Sequence, residues 1–134
     1  MAFMEWDDSF SVNVAEIDEQ HKKLIEMVNT FNDSIVDDKK AAFGDLLISL
    51  VDYAVYHFST EEKYMDKFNY PDTEAHKREH ELFAAKALDV KKRFEDGSLV
   101  ISLEITEFLR DWIANHVLGT DKRYSQCFND NGLR

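Results

Sequence analysis

Four stretches of the chain carry apolar residues at alternating spacings of three and four, the repeat that lays one stripe along a helix. The first covers about 17–37, with Ile17, His21, Leu24, Val28, Phe31 and Ile35 on one face. The second covers about 39–68 and places Phe43, Leu47, Leu50, Ala54, His57, Glu61, Tyr64 and Phe68 on its stripe. The third, about 73–95, turns His76, His80, Phe83, Ala87, Val90 and Phe94 inward, and the fourth, about 103–120, aligns Ile105, Leu109, Trp112 and His116. Asp38 and Asp72 stand where they can cap the second and third helices, and Pro71 stops the chain running straight on. Gly97-Ser98 separates the third helix from the fourth, with Ser102 as its cap. Connections this short make neighbours antiparallel. The expected fold is all-α: an up-down-up-down four-helix bundle, preceded by an irregular arm over about 1–16 and followed by a short helix after Asp121.

Composition agrees with long helices. The 134 residues contain only four Gly and one Pro, too few breakers for a many-turned β fold. One domain with one core is expected at this length. A formal charge of −11 repels phosphate backbones, so no nucleic acid partner is expected. No basic amphipathic face and no apolar run of spanning length is present, so no membrane partner is expected either. The N-terminal residues lack a basic segment followed by an apolar stretch, which makes a cytoplasmic protein the expectation. The single cysteine, Cys127, has no partner for an internal disulfide. The acidic surface favours a monomer.

The five histidines, His21, His57, His76, His80 and His116, all fall on the inward stripes. One inward imidazole is usually a satisfied core residue. Five in one small core leave many ring nitrogens needing partners. A metal resolves this, since it takes one lone pair from each ring while the other nitrogen donates to a neighbouring group. His57 and Glu61 lie four apart, one turn from each other on one face, and His76 and His80 repeat that geometry. His116 and Asp121 are five apart, which suits one face only if the helix ends or is distorted between them. Gly119 would permit that. On spacing alone, Asp121 reads equally well as a solvated cap.

The donors are too many for one tetrahedral zinc and too nitrogen-rich for calcium or magnesium. Imidazole with carboxylate and no thiolate suits iron, with manganese, cobalt or zinc as substitutes. If both carboxylates and one solvent oxygen bridge two ions, the set falls one position short of two full octahedra. That open position is where a small ligand would bind.

The pattern resembles the hemerythrin family, most closely the single-domain bacteriohemerythrins. The matching pieces are Asp18-Glu19-Gln20-His21, His57-Phe58-Ser59-Thr60-Glu61-Glu62, His76-Lys77-Arg78-Glu79-His80, Trp112-Ile113-Ala114-Asn115-His116 and Gly119-Thr120-Asp121. The resemblance implies two unequal iron ions. His76, His80 and His116 would fill one; His21 and His57 would bind the other and leave it a free position. Glu61 and Asp121 would bridge the pair together with an oxo or hydroxo group. It further implies reversible binding of dioxygen, as a carrier, store or delivery protein and not an enzyme, with an oxygen-consuming client protein not identified by the sequence. Reversibility requires a dry pocket, for which Phe58, Phe83, Trp112, Ile113 and Leu118 are the candidate lining. Ile113 stands where many family members carry Leu, and its β-branched side chain is stiffer, so an altered autoxidation rate is expected. Asn13 stands where a glycine is common in the arm.

Three rival chemistries compete. His76-Lys77-Arg78-Glu79-His80 fits the H-x-x-E-H zinc-peptidase pattern with Glu79 as base, but that leaves His21, His57, Glu61 and His116 without a role. Ferritin-like oxidases use a Glu three residues before a ligand His, and none of the five histidines here has one. Oxygen or redox sensing, or peroxide or nitric oxide chemistry at the same di-iron site, uses the same ligands. The lack of a fused signalling domain in the sequence favours a carrier over a sensor.

Overall fold

The computed structural model describes residues 3–97 and 103–134. Four helices form the bundle: α1 (Ala15–Val36), α2 (Lys40–Lys67), α3 (Thr73–Glu95) and α4 (Leu103–Asn115). The chain then passes through one π turn (His116–Thr120) and a 3-10 turn (Asp121–Tyr124) into a short α5 (Ser125–Asp130). The segment expected as one helix to residue 120 is thus divided at Asn115. Among the described residues there is no strand, and no helix is long and apolar enough to cross a membrane. α1 packs on α2 and α4, and α2 on α3; Phe83 of α3 meets Trp112 and Phe108 of α4, closing the ring.

Two apolar clusters fill the interior. The larger runs the length of the bundle through Leu24, Val28, Phe31, Leu47, Leu50, Phe83 and Leu109. Side chains as fully buried as Phe31 and Leu47 contribute on the order of 1.5–3 kcal/mol each. The smaller joins the arm to the C-terminal segment through Val12, Val14, Ile17, Met65, Tyr124 and Phe128, and it plugs one end of the bundle. One seam position differs from the simple repeat. Met65 is fully buried, while Tyr64 is half-buried with its hydroxyl on Glu16. A strict seven-residue repeat drifts by about 20° per heptad on a straight helix, which after Glu61 brings Met65 to the inside.

The helix ends are closed differently from the expected acidic caps. Asp38 does not cap α2. It sits in the left-handed region at φ 53°, where the N–H of Lys39 donates to the carbonyl of Ser34 at 2.8 Å and that of Asp38 to Ile35 at 3.1 Å. This pair of bonds finishes α1 as a Schellman motif. Asn69 does the same for α2 at φ 53°, with Tyr70 donating back to Met65 at 3.0 Å. Asp72 precedes α3, but its side chain makes no cap bond; its backbone lies outside the extended region that aims a cap oxygen at the first turn. Ser102 lies outside the described residues.

The arm is fastened by side chains of α1. Asn29 accepts from the N–H of Met4 at 2.8 Å and donates to its carbonyl at 2.7 Å. Asp18 accepts from the N–H of Val12 at 2.9 Å and from the Ser11 hydroxyl at 2.6 Å. Just after Val12, Asn13 turns the chain at φ 59°, a conformation open to Gly and Asn at low cost.

Candidate metal centre

The antiparallel bundle brings the start of α1, the last third of α2, the start of α3 and the end of α4 to one level. All seven sequence-predicted side chains meet there, and each is buried. They form two groups whose donor atoms lie within 4.8 Å of one another: His76, His80 and His116 with Glu61 and Asp121, and His21 and His57 with the same two carboxylates. Asp121 spans both. Its Oδ1 lies 2.8 Å from His76 Nε2 and 2.9 Å from His116 Nε2, and its Oδ2 lies 3.1 Å from His21 Nε2. Oε1 of Glu61 stands between His57 Nε2 at 3.0 Å and His80 Nε2 at 3.4 Å.

The π turn is what admits Asp121. The N–H of Asp121 donates to the carbonyl of His116, five residues back, so the wider turn aligns two residues that an α-helix would separate. Gly119 is not needed for it: its φ is not positive, and an added Cβ would meet nothing within 4 Å.

Neighbouring groups set the proton on three rings. His57 Nδ1 faces Gln20 Oε1 at 2.7 Å, His80 Nδ1 faces Glu62 Oε2 at 3.2 Å and His116 Nδ1 faces Glu79 Oε1 at 3.1 Å. A carboxylate only accepts, so His80 and His116 donate from Nδ1, and the amide oxygen of Gln20 makes His57 do the same. Their Nε2 lone pairs then point into the site. Nε2 of His80 and of His116 are 3.0 Å apart, a contact that a shared proton satisfies in the metal-free protein and a bound cation would satisfy in its place. His21 Nε2, His76 Nε2, Glu61 Oε1 and both Asp121 oxygens are buried with no hydrogen bond. Buried polar atoms left in this way cost roughly 1–3 kcal/mol each. Electron-pair donors that face one another in this way are what a shared cation would satisfy.

Electrostatics point the same way. Burial raises the Glu61 and Asp121 carboxyls, but the surrounding histidines outweigh it and hold both below the usual carboxylate range. Burial lowers His57. At His80 burial is overcome by Glu61 and Glu62, which lift it to about 9.

Four contributors were not read from the sequence as partners of the seven: Gln20, Glu62, Glu79 and Tyr124. Glu62 is half-buried, with its Oε2 on His80 Nδ1. Glu79, the base of the peptidase reading, accepts from His116 Nδ1 and from the Thr120 hydroxyl at 2.8 Å. Tyr124 lies three residues past Asp121, a spacing that shares a helical face, and that was the available signal. Above the centre, Phe58 stacks on His80 at 4.0 Å and Trp112 on His116 at 4.4 Å. A small cavity of about 10 Å³ is lined by His21, His57, Phe58, Ile113 and Val117, room for about one molecule the size of water. Leu118, expected in this lining, is 41% exposed, while Val117 is 3% exposed and takes its place; the π turn rotates the chain after His116 by less than an α-helix would.

Fold and site together define a helical-bundle metalloprotein with a histidine-rich centre joined by two carboxylates. The family described as the hemerythrin HHE cation binding domain matches residues 12–127. The chain belongs to the hemerythrin family. The bacteriohemerythrin of Methylococcus capsulatus is 38% identical over 130 residues, spanning 96% of this chain and 99% of that protein. That of Stenotrophomonas maltophilia is 36% identical over 125 residues, 93% of this chain and 81% of its own length. A crystal structure of wild-type hemerythrin superposes with a TM-score of 0.91 at 38% identity, covering 94% of this chain and 98% of that one.

Proposed function

We propose that this protein binds dioxygen reversibly at a pair of iron ions. His76, His80 and His116 would hold one ion and His21 and His57 the other, with Glu61 and Asp121 shared. The observation that carries the reading is the unequal division of one donor set: both groups use the same carboxylates, but one has a histidine fewer. Imidazole and carboxylate without thiolate suit iron. The cavity is lined by both histidines of the poorer group, with His116 of the richer one and the shared Asp121, so a small ligand would reach the site from that space.

Iron, when bound, supplies the electrons that hold dioxygen and recovers them on release. The chain's own groups do the rest. Gln20, Glu62 and Glu79 keep the Nδ1 protons of three histidines outward, leaving Nε2 free. Tyr124 donates to Glu61 at 2.5 Å and fixes one shared carboxylate. Phe58, Ile113 and Val117 wall off the cavity from water, which favours release of oxygen over its loss as peroxide.

The test is iron quantification with absorption spectra of the reduced protein before and after air. An iron pair per chain and a charge-transfer band that appears with oxygen and leaves under vacuum are expected. A stable single zinc, or a band that never reverses, would overturn the reading.

A further inference from the structure

The groups behind the histidines differ between the two ends of the centre, and the difference is one of charge. At the three-histidine end, two rings donate from Nδ1 to carboxylates: His80 to Glu62 at 3.2 Å and His116 to Glu79 at 3.1 Å. At the two-histidine end, His57 donates to the neutral amide of Gln20 at 2.7 Å, and His21 Nδ1 has no hydrogen-bond partner. His76 Nδ1 also has none, so the imbalance comes from the two glutamates alone. Glu61 and Asp121 belong to both groups and do not create it.

An imidazole that donates to a carboxylate becomes a stronger donor at its other nitrogen, and a charge-assisted bond of this kind is stronger than a neutral one. A ligand set of that kind favours the higher positive charge on the metal it holds. Glu62 and Glu79 are 29% and 42% exposed at their side chains, so solvent weakens their field. Contact offsets this in part. The Thr120 hydroxyl pins Glu79 at 2.8 Å, and the stacked rings of Phe58 and Trp112 keep His80 and His116 from turning away.

We infer that Glu62 and Glu79 make the two metal positions unequal in redox potential, so that the end held by His76, His80 and His116 is the first to give up an electron. This rests on the di-iron reading above. Both glutamates are positioning residues: they act through the rings they touch. Each oxidation passes one electron from the reduced centre to an added one-electron mediator, and no atom is transferred.

A mediated spectroelectrochemical titration of the purified, oxygen-free, iron-loaded protein tests it, with iron content measured on every sample. Glu62→Gln and Glu79→Gln keep an acceptor of the same length and remove the charge. Each is expected to move the first, lower step to a more positive potential, with the double variant moving it further and the second step moving less. Gln20→Glu places a carboxylate behind His57 and is expected to lower the second step instead. A role limited to holding the rings in place would leave the potentials of the Gln variants where they were. An iron pair with a first step unmoved in the double variant overturns this inference and leaves the oxygen-binding reading standing. A parent protein that takes up no iron pair overturns both.

Discussion

Tyr124 donates its phenolic hydrogen to Oε2 of Glu61 at 2.5 Å, across sixty-three residues of chain. The phenol is fully buried, and burial followed by the charges of Glu61 and Asp121 pushes it well above its ordinary value. It therefore remains a donor throughout the physiological range. The contact ties the C-terminal segment to α2 and uses one lone pair of a carboxylate that has no solvent. Tyr124→Phe removes the donor and keeps the ring, including its stack on Phe128 at 4.3 Å. Loss of a hydrogen bond to a charged group predicts a destabilisation of about 1.5–3 kcal/mol, read as a lower urea midpoint in the metal-free protein. A midpoint equal to the parent's would mean the bond contributes nothing net.

Because Glu61 and Asp121 serve both groups, their loss should differ in kind from loss of one histidine. Asp121→Ala removes a donor from each end and is expected to abolish iron retention after gel filtration. His21→Ala touches only the poorer end and is expected to retain iron at the other. Equal retention in the two variants would contradict the sharing.

The convergence of the seven polar side chains was legible because pairs such as His57 and Glu61 are four apart and stand on stripes otherwise filled with Leu and Phe. The number of helices was legible for the same reason. What escaped depends on register between helices. Gln20 reaches His57 from α1, and Glu79 reaches His116 from α3; no spacing along one helix records such a contact. Asp38 and Asn69 were illegible for another reason: an Asp or Asn between two helices fits an N-cap or a left-handed C-terminal position equally well. The π turn was half legible. The spacing of five between His116 and Asp121 demanded a distortion, and only the structure shows that it is a wider turn and not a glycine-dependent break.

That distinction predicts opposite outcomes at two glycines. Gly119 has open space around it, so Gly119→Ala should keep its iron and match or exceed the parent's stability, by up to about 1 kcal/mol if Ala gains its full helical advantage. At Gly44 an added Cβ would collide with the Phe94 ring. Overpacking costs of about 1–3 kcal/mol then oppose the same gain, and Gly44→Ala should be the less stable of the two. Thermal melts of both variants check the order, and a reversed order would sink it.

Removing the metal should expose a pH dependence that the loaded protein lacks. In the metal-free protein burial disfavours the charged forms of His80 and His116. Glu61 and Glu62 outweigh this at His80, lifting it to about 9, and Asp121 raises His116. Both folded values lie above the unfolded value of about 6.5. Their protonation therefore stabilises the fold fully below that pH, and the contribution is lost as pH rises toward 9. Glu61 and Asp121, held low, act in the opposite sense, and their contribution is lost only as the solution becomes acidic through the carboxylate range. The metal-free melting temperature should accordingly fall between about pH 7 and 9. In the loaded protein, where metal occupies Nε2 and binding itself favours deprotonated ligands, it should stay flat over that interval. A metal-free protein equally stable at both ends would contradict the raising of His80 and His116 by the surrounding carboxylates.

Ile113 is the residue through which the cavity wall can be tested without touching a donor. It is buried at 4% exposure and shares the cavity with His21, His57 and Phe58. Its β-branched side chain has few rotamers, so it forms a stiff wall where Leu would be longer and more mobile. Ile113→Leu conserves volume and is expected to fold normally, at a cost below about 1.5 kcal/mol, with a changed rate of autoxidation of the oxygenated form. Ile113→Ala opens the wall. It should cost about 2–5 kcal/mol and admit water, and so accelerate autoxidation well beyond the Leu variant. The decay of the oxygenated band in air reads both. If all three proteins decay at one rate while the iron content is unchanged, the wall at residue 113 does not control access of water to the centre, and the dry-pocket argument must rest on Phe58 and Val117 instead.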